Sequence, residues 1–302
     1  MNKKVLIIGG GGFIGSNLVK YFLQMNYNVS VYDRDGVQCQ YENVKVLNGD
    51  AYCDFGLEKI VTAFDIVINA VSMISPATNL ENLGDTFSED INLNIRLMRA
   101  LINFDVRYIF LSSAGAIYGN SKAIDYNEDA CTRPINFYGS SKLCIESICH
   151  VMNNLAKKSK FIVARIANAF GPGQNYKRGV GFIDAVVKCA ISGETLSIYG
   201  NGKTVRDYIY IDDICYLVEC IARYSGAEEI FNISTGVGYT QNDIISFVEK
   251  YGFTINKQYI DYRIGDIKTA IINNKKVVEL FNFVPQNMEN SLKKFIDYAK
   301  AR

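Results

Sequence analysis

Tyr138 and Lys142 stand four residues apart in Tyr138-Gly139-Ser140-Ser141-Lys142. At the start of a helix such positions share one face, so the ammonium lies beside the phenol. A free phenol loses its proton near pH 10 and is a poor base at neutral pH. A nearby positive charge, and a positive ring beside it, stabilise the phenolate and lower that value. The pair can then exchange a proton with a hydroxyl while a hydride moves to a nicotinamide. Alone the spacing is weak, because a Tyr stacked over a Lys stem is common on helices.

A second chemistry-bearing segment strengthens it. Gly9 to Gly12 are consecutive, and Phe13, Ile14 and Gly15 follow. Gly9, Gly12 and Gly15 satisfy G-x-x-G-x-x-G, and Gly10, Gly12 and Gly15 satisfy G-x-G-x-x-G. The run leaves an apolar strand and opens a helix, where backbone N–H groups through Phe13 and Ile14 can meet a pyrophosphate. Asp33 closes the next strand about 20 residues on, where a carboxylate binds ribose hydroxyls. It would repel a 2′-phosphate, so NAD is expected over NADP, although Arg34 works against this. The plain alternative is a tight glycine turn with no ligand. Asp50, after the third strand, is a weaker candidate for the adenine side and equally a turn aspartate. Ala70, in Asn69-Ala70-Val71-Ser72, would let the cofactor pass or simply end a strand.

Apolar runs at Val5–Ile8, Val29–Tyr32, Val44–Leu47, Ile66–Ala70, Tyr108–Leu111 and Phe161–Ile166 alternate with helical patterns at Phe13–Met25, Ile91–Phe104 and Gly139–Leu155. That alternation predicts an α/β fold with a doubly wound parallel sheet. After Phe170 glycine-rich turns take over, around a helix at about 182–192. We therefore divide the chain into a dinucleotide-binding domain, 1–170, and a smaller substrate-capping region, 171–302. Within the latter, about 205–235 is expected to pack back on the sheet, with Asp212 as N-cap of a helix ending at Arg223.

Composition excludes other classes. Lys plus Arg is 32 against 31 Asp plus Glu, a net charge of +1 that disfavours nucleic acid as partner. No apolar run approaches a membrane span. Eight cysteines without a C-x-x-C pair, and one histidine, His150, argue against a metal site and for buried thiols in a reducing cytoplasm.

These segments resemble the extended short-chain dehydrogenase/reductases, within them the nucleotide-sugar epimerases of the NAD-dependent epimerase/dehydratase family. The resemblance covers almost the whole chain. It rests on the glycine loop, Leu111-Ser112-Ser113-Ala114-Gly115-Ala116-Ile117-Tyr118-Gly119, Tyr138–Lys142 and Arg165-Ile166-Ala167-Asn168-Ala169-Phe170-Gly171-Pro172-Gly173-Gln174. Val205-Arg206-Asp207-Tyr208-Ile209-Tyr210-Ile211-Asp212-Asp213 and Arg263-Ile264-Gly265-Asp266 extend it. It implies a Rossmann fold, NAD as cofactor and NAD-dependent inversion at C4 of a nucleoside diphosphate hexose. It also places Asn92 near the cofactor, Arg206 and Arg263 at the diphosphate and ribose, Asp266 at the ribose and Asn168 at the substrate. Each arginine is otherwise readable as a surface ion-pair partner, and Tyr199 is readable as a nucleobase contact and equally as core packing.

One position departs from the family pattern. Its catalytic Ser or Thr would fall at Ala114; the hydroxyls here are Ser113, our first choice, and Ser112, which is equally readable as structural. Acidic residues that related dehydratases use next are replaced by Gly115 and Ala116, leaving redox at a single carbinol. A one-way 4-ketoreductase or 4-dehydrogenase needs the same residues, and a catalytically silent NAD-binding regulator is a third reading. Apolar stripes on two helices suggest a homodimer. On the first helix Ile91, Ile95, Met98 and Ile102 are expected to face the sheet, leaving Leu93, Leu97, Leu101 and Phe104 for a partner.

Overall fold

The computed structural model describes residues 2–34, 41–76, 78, 83–119, 125–174, 181–261 and 267–301. In chain order the elements are β1 (Lys4–Ile8), α1 (Phe13–Gln24), β2 (Asn28–Asp33), β3 (Lys45–Asn48), α2 (Leu57–Val61), β4 (Ile66–Asn69), α3 (Leu83–Leu101) and β5 (Arg107–Ser113). Next come α4 (Ala114–Ile117), β6 (Asp125–Tyr126), α5 (Phe137–Leu155), β7 (Lys160–Ile166), β8 (Asn168–Phe170), α6 (Phe182–Ser192), β9 (Leu196–Tyr199) and β10 (Val205–Tyr210). The last are α7 (Ile211–Arg223), β11 (Ile230–Ile233), β12 (Gly238–Thr240), α8 (Gln241–Glu249), β13 (Lys257–Ile260), β14 (Thr269–Ile272), α9 (Lys275–Phe281) and α10 (Met288–Lys300).

Two compact units emerge. The first comprises Met1–Ser113, Asn136–Arg165 and Cys215–Phe231. Its parallel sheet runs β11-β7-β5-β4-β1-β2-β3, so strand order reverses beside β1, where open α/β sheets bind ligands. Val5 to Ile8 are all fully buried, because helices cover both faces of a parallel sheet. This is the doubly wound, Rossmann-like architecture that the alternation predicts.

Two helices differ from expectation. α3 starts eight residues before Ile91, because its first turns, Gly84 to Glu89, carry no apolar stripe to announce them. Its faces are also exchanged. Leu93, Leu97 and Leu101 are sealed in the core beside Met98, while Ile91 only packs at its margin. Glutamate at Leu97 or Leu101 would therefore break the core rather than an interface. α7 starts at Ile211, so Asp212 lies inside the first turn instead of capping it. There its charge meets the positive end of the helix dipole.

The second unit comprises Ala114–Ile135, Ile166–Ile214 and Asn232–Arg302. Its main sheet runs β12-β10-β14-β6, with β8 also paired to β10, and β9 pairs β13 in a separate ribbon. Asp207 on β10 ties it together. Its fully buried carboxylate accepts from Thr235 N–H and Oγ1–H at 3.0 and 2.8 Å, Gly236 N–H at 2.9 Å and Ile272 N–H at 3.4 Å. Among the described residues no helix is long and apolar enough to cross a membrane. The seven described cysteines are free thiols, but Cys53 and Cys131 are exposed rather than buried.

Candidate active site

The glycine loop joins β1 to α1 in the first unit. Gly9 has φ +84°, a conformation that L side chains rarely adopt. A Cβ at Gly9 would come within 2.5 Å of Val71 Cγ1, and one at Gly15 within 2.0 Å of the Gly9 carbonyl oxygen. The loop thus packs against α1 and against the Ala70–Val71 segment with no room for a side chain at Gly9 or Gly15. Gly11 N–H donates to Asp33 Oδ2 at 2.8 Å, which brings the carboxylate at the end of β2 to the loop. A helix start with no side-chain cap, cradled by glycines and flanked by a carboxylate, fits a dinucleotide. Asp50 caps its own turn, accepting from Tyr52 N–H at 3.0 Å. Asn92 is exposed on α3, whereas its neighbour Asn94 is buried and accepts from Tyr108 O–H at 2.6 Å.

Helix α5 presents Tyr138, Lys142 and Glu146 at successive four-residue steps. Asn136 caps it, accepting from Gly139 N–H at 2.8 Å, which fixes where the first turn begins. Lys142 is buried, with Nζ 4.8 Å from the Phe110 ring centroid and 5.6 Å from that of Tyr138. Burial pushes its ammonium pKa down, while the carboxylates of Asp90 and Glu146 act to raise it. The Tyr138 phenol is raised, not lowered. Burial dominates, Ser113 opposes it as a hydrogen-bond partner, and Asp90 adds to it. The chain's own groups therefore keep the phenol protonated, and further positive charge is needed to release it.

The two serines separate cleanly. Ser112 donates to Glu146 Oε1 at 2.5 Å, and the same carboxylate takes Arg165 Nη2–H at 2.7 Å and Nε–H at 3.1 Å. Glu146, Arg165 and Ser112 are all at least 96% buried. Ser112 is committed to this cluster and Ser113 is turned to Tyr138. Sequence reasoning missed Glu146 and Asp90. The available signal was a carboxylate within an otherwise apolar helical stripe, next to Ile145 and Cys149 or to Ile91 and Leu93.

In the second unit Asn168 donates through Nδ2 to the Asp207 carbonyl at 2.8 Å, and Gly115 lies against its amide. Arg206 is half-buried on β10, and Tyr199 ends β9. Arg263 and Asp266 fall outside the described residues. No group of three or more His, Cys, Asp or Glu among the described residues is placed to hold a metal ion.

Residues 5–234 match the model of the NAD dependent epimerase/dehydratase family. The chain belongs to this family. Its cofactor is accordingly NAD. A dTDP-4-dehydro-6-deoxyglucose reductase of Escherichia coli is 29% identical over 269 residues, covering 85% of this chain and 83% of its own. A UDP-glucose 4-epimerase of Halalkalibacterium halodurans is 26% identical, covering 93% and 90%. The solved UDP-glucose 4-epimerase of Thermotoga maritima, with UDP-glucose, is 28% identical with a TM-score of 0.91, covering 99% of both chains.

Proposed function

We propose that the protein inverts C4 of a nucleoside diphosphate hexose, of the UDP-glucose/UDP-galactose type, through a 4-keto sugar. The observation that carries this reading is Tyr138 set between Ser113 and the buried Lys142, with only Gly115 and Ala116 at the positions where other chemistries need acids. NAD, when bound, takes up and returns the C4 hydride. Tyr138 removes the C4 hydroxyl proton and gives it back on the return step, while Ser113 orients the oxygen. Lys142 stabilises the phenolate. Arg206 suits the diphosphate because its planar fork gives bidentate contacts, with Asn168, Tyr199, Arg263 and Asp266 completing the substrate contacts.

The test is interconversion of UDP-glucose and UDP-galactose by purified protein without added cofactor. A second reading is a one-way 4-ketoreductase, favoured by the reductase relative. Oxidation of added NADH by a nucleotide 4-ketohexose, with no interconversion, would select it. The proposal includes a cytoplasmic enzyme, consistent with free thiols. It also includes a homodimer paired along α5, where Val151 and Leu155 are 54% and 63% exposed. Light scattering at micromolar concentration, if it finds monomers, refutes the dimer.

A further inference from the structure

Asp90 is 2% exposed in the middle of α3, and its carboxylate accepts four hydrogen bonds. They come from Tyr52 O–H at 2.7 Å, Ser72 O–H at 2.6 Å, Met73 N–H at 2.8 Å and Ile74 N–H at 3.4 Å. Tyr52 follows β3, and Ser72 to Ile74 follow β4. One carboxylate therefore gathers onto α3 the loops at the carboxyl ends of two strands, where a doubly wound sheet receives its ligand. A second anchor lies just upstream. Asn69 accepts from Val71 N–H at 3.2 Å and donates to Asn94 at 3.1 Å, and Asn94 donates to the Asp90 carbonyl at 2.7 Å. Ala70 and Val71, held between these anchors, are the residues packed on Gly9.

We propose that Asp90 is a positioning residue that clamps the loop after β4 against the glycine cradle. This rests on the reading of that cradle as the NAD site. The clamp sets one wall of the NAD cleft.

Calorimetric titration of the full chain with NAD tests it without a sugar, so the result stands or falls apart from the substrate. Binding should weaken about fivefold in Ser72→Ala and about tenfold or more in Asp90→Asn, as for lost bonds to a charged acceptor. Ser72→Thr keeps the hydroxyl at this exposed position and should bind within twofold of wild type. NAD affinity within twofold of wild type in both Ser72→Ala and Asp90→Asn overturns the proposal, as does Ser72→Thr binding no tighter than Ser72→Ala. If Asp90→Asn does not fold, Ser72→Ala keeps the carboxylate, and unchanged NAD affinity in it overturns the clamp.

Discussion

Replacing Glu146 with alanine tests how the first unit holds its reactive face. The carboxylate is 3% exposed and takes Ser112 Oγ–H at 2.5 Å together with the Arg165 guanidinium at 2.7 Å, itself 4% exposed. Alanine leaves a buried guanidinium without its carboxylate and frees the Ser112 hydroxyl. Breaking a buried pair from one side costs about 3–5 kcal/mol, against a typical total stability of about 5–15 kcal/mol. Urea unfolding of Glu146→Ala should show a midpoint lowered accordingly with the slope unchanged. The triple variant Ser112→Ala/Glu146→Leu/Arg165→Met removes both charges and the hydroxyl left without its acceptor, and should return to within roughly 1 kcal/mol of wild type, since apolar replacement of a buried pair is often near neutral. A loss below about 1 kcal/mol in Glu146→Ala would refute the reasoning, as would a triple variant no more stable than the single one.

Tyr138→Phe should lower turnover by at least ~10²-fold while NAD binding largely survives, as for loss of a general acid/base; near-normal turnover rejects Tyr138 as proton carrier. Ser113→Ala should cost more turnover than Ser112→Ala, whereas Ser112→Ala should show mainly in urea unfolding; reversed kinetics would move the hydroxyl role to Ser112. Titration should show tighter NAD than NADP binding, with Asp33→Ala narrowing the gap; a wild-type preference for NADP would mean that Arg34 governs the site. Burial raises the Asp184 carboxyl from 3.8 to about 7, so the folded chain keeps a proton that the unfolded chain releases. Its contribution is full at about pH 4, is lost as pH rises to about 7, and is flat above. Relative to wild type, Asp184→Asn should therefore gain up to roughly 4 kcal/mol across that window; a pH-independent difference in thermal unfolding would reject the raised pKa.

The first unit was legible because its strands are short apolar runs bounded by turn residues. Val5 to Ile8 needs no periodicity to be recognised once a glycine loop follows it. Tyr138 and Lys142 were readable for the same reason, their spacing being a helical period. Long-range carboxylate partners were not. Asp90 is separated by 18 residues from Ser72 and by 38 from Tyr52, and nothing local marks that convergence. The α3 faces were misassigned because leucine and isoleucine rows flank one another on that helix, and only tertiary packing selects between them. Beyond Arg223 the strands shrink to three or four residues, below the length at which alternation is a signal.

Ser112 and Ser113 show how little freedom β5 has to change its length. Both hydroxyls meet α5, Ser112 at Glu146 and Ser113 at Tyr138 two turns earlier, so the end of β5 must arrive beside that helix in one register. Inserting or deleting one residue between Arg107 and Leu111 would turn the residues beyond it to the other face and take both hydroxyls from their partners. Substitutions along β5 can be absorbed one at a time, but length changes cannot. Descendants of this chain should therefore keep the strand's residue count fixed, and any shortening should arrive in pairs.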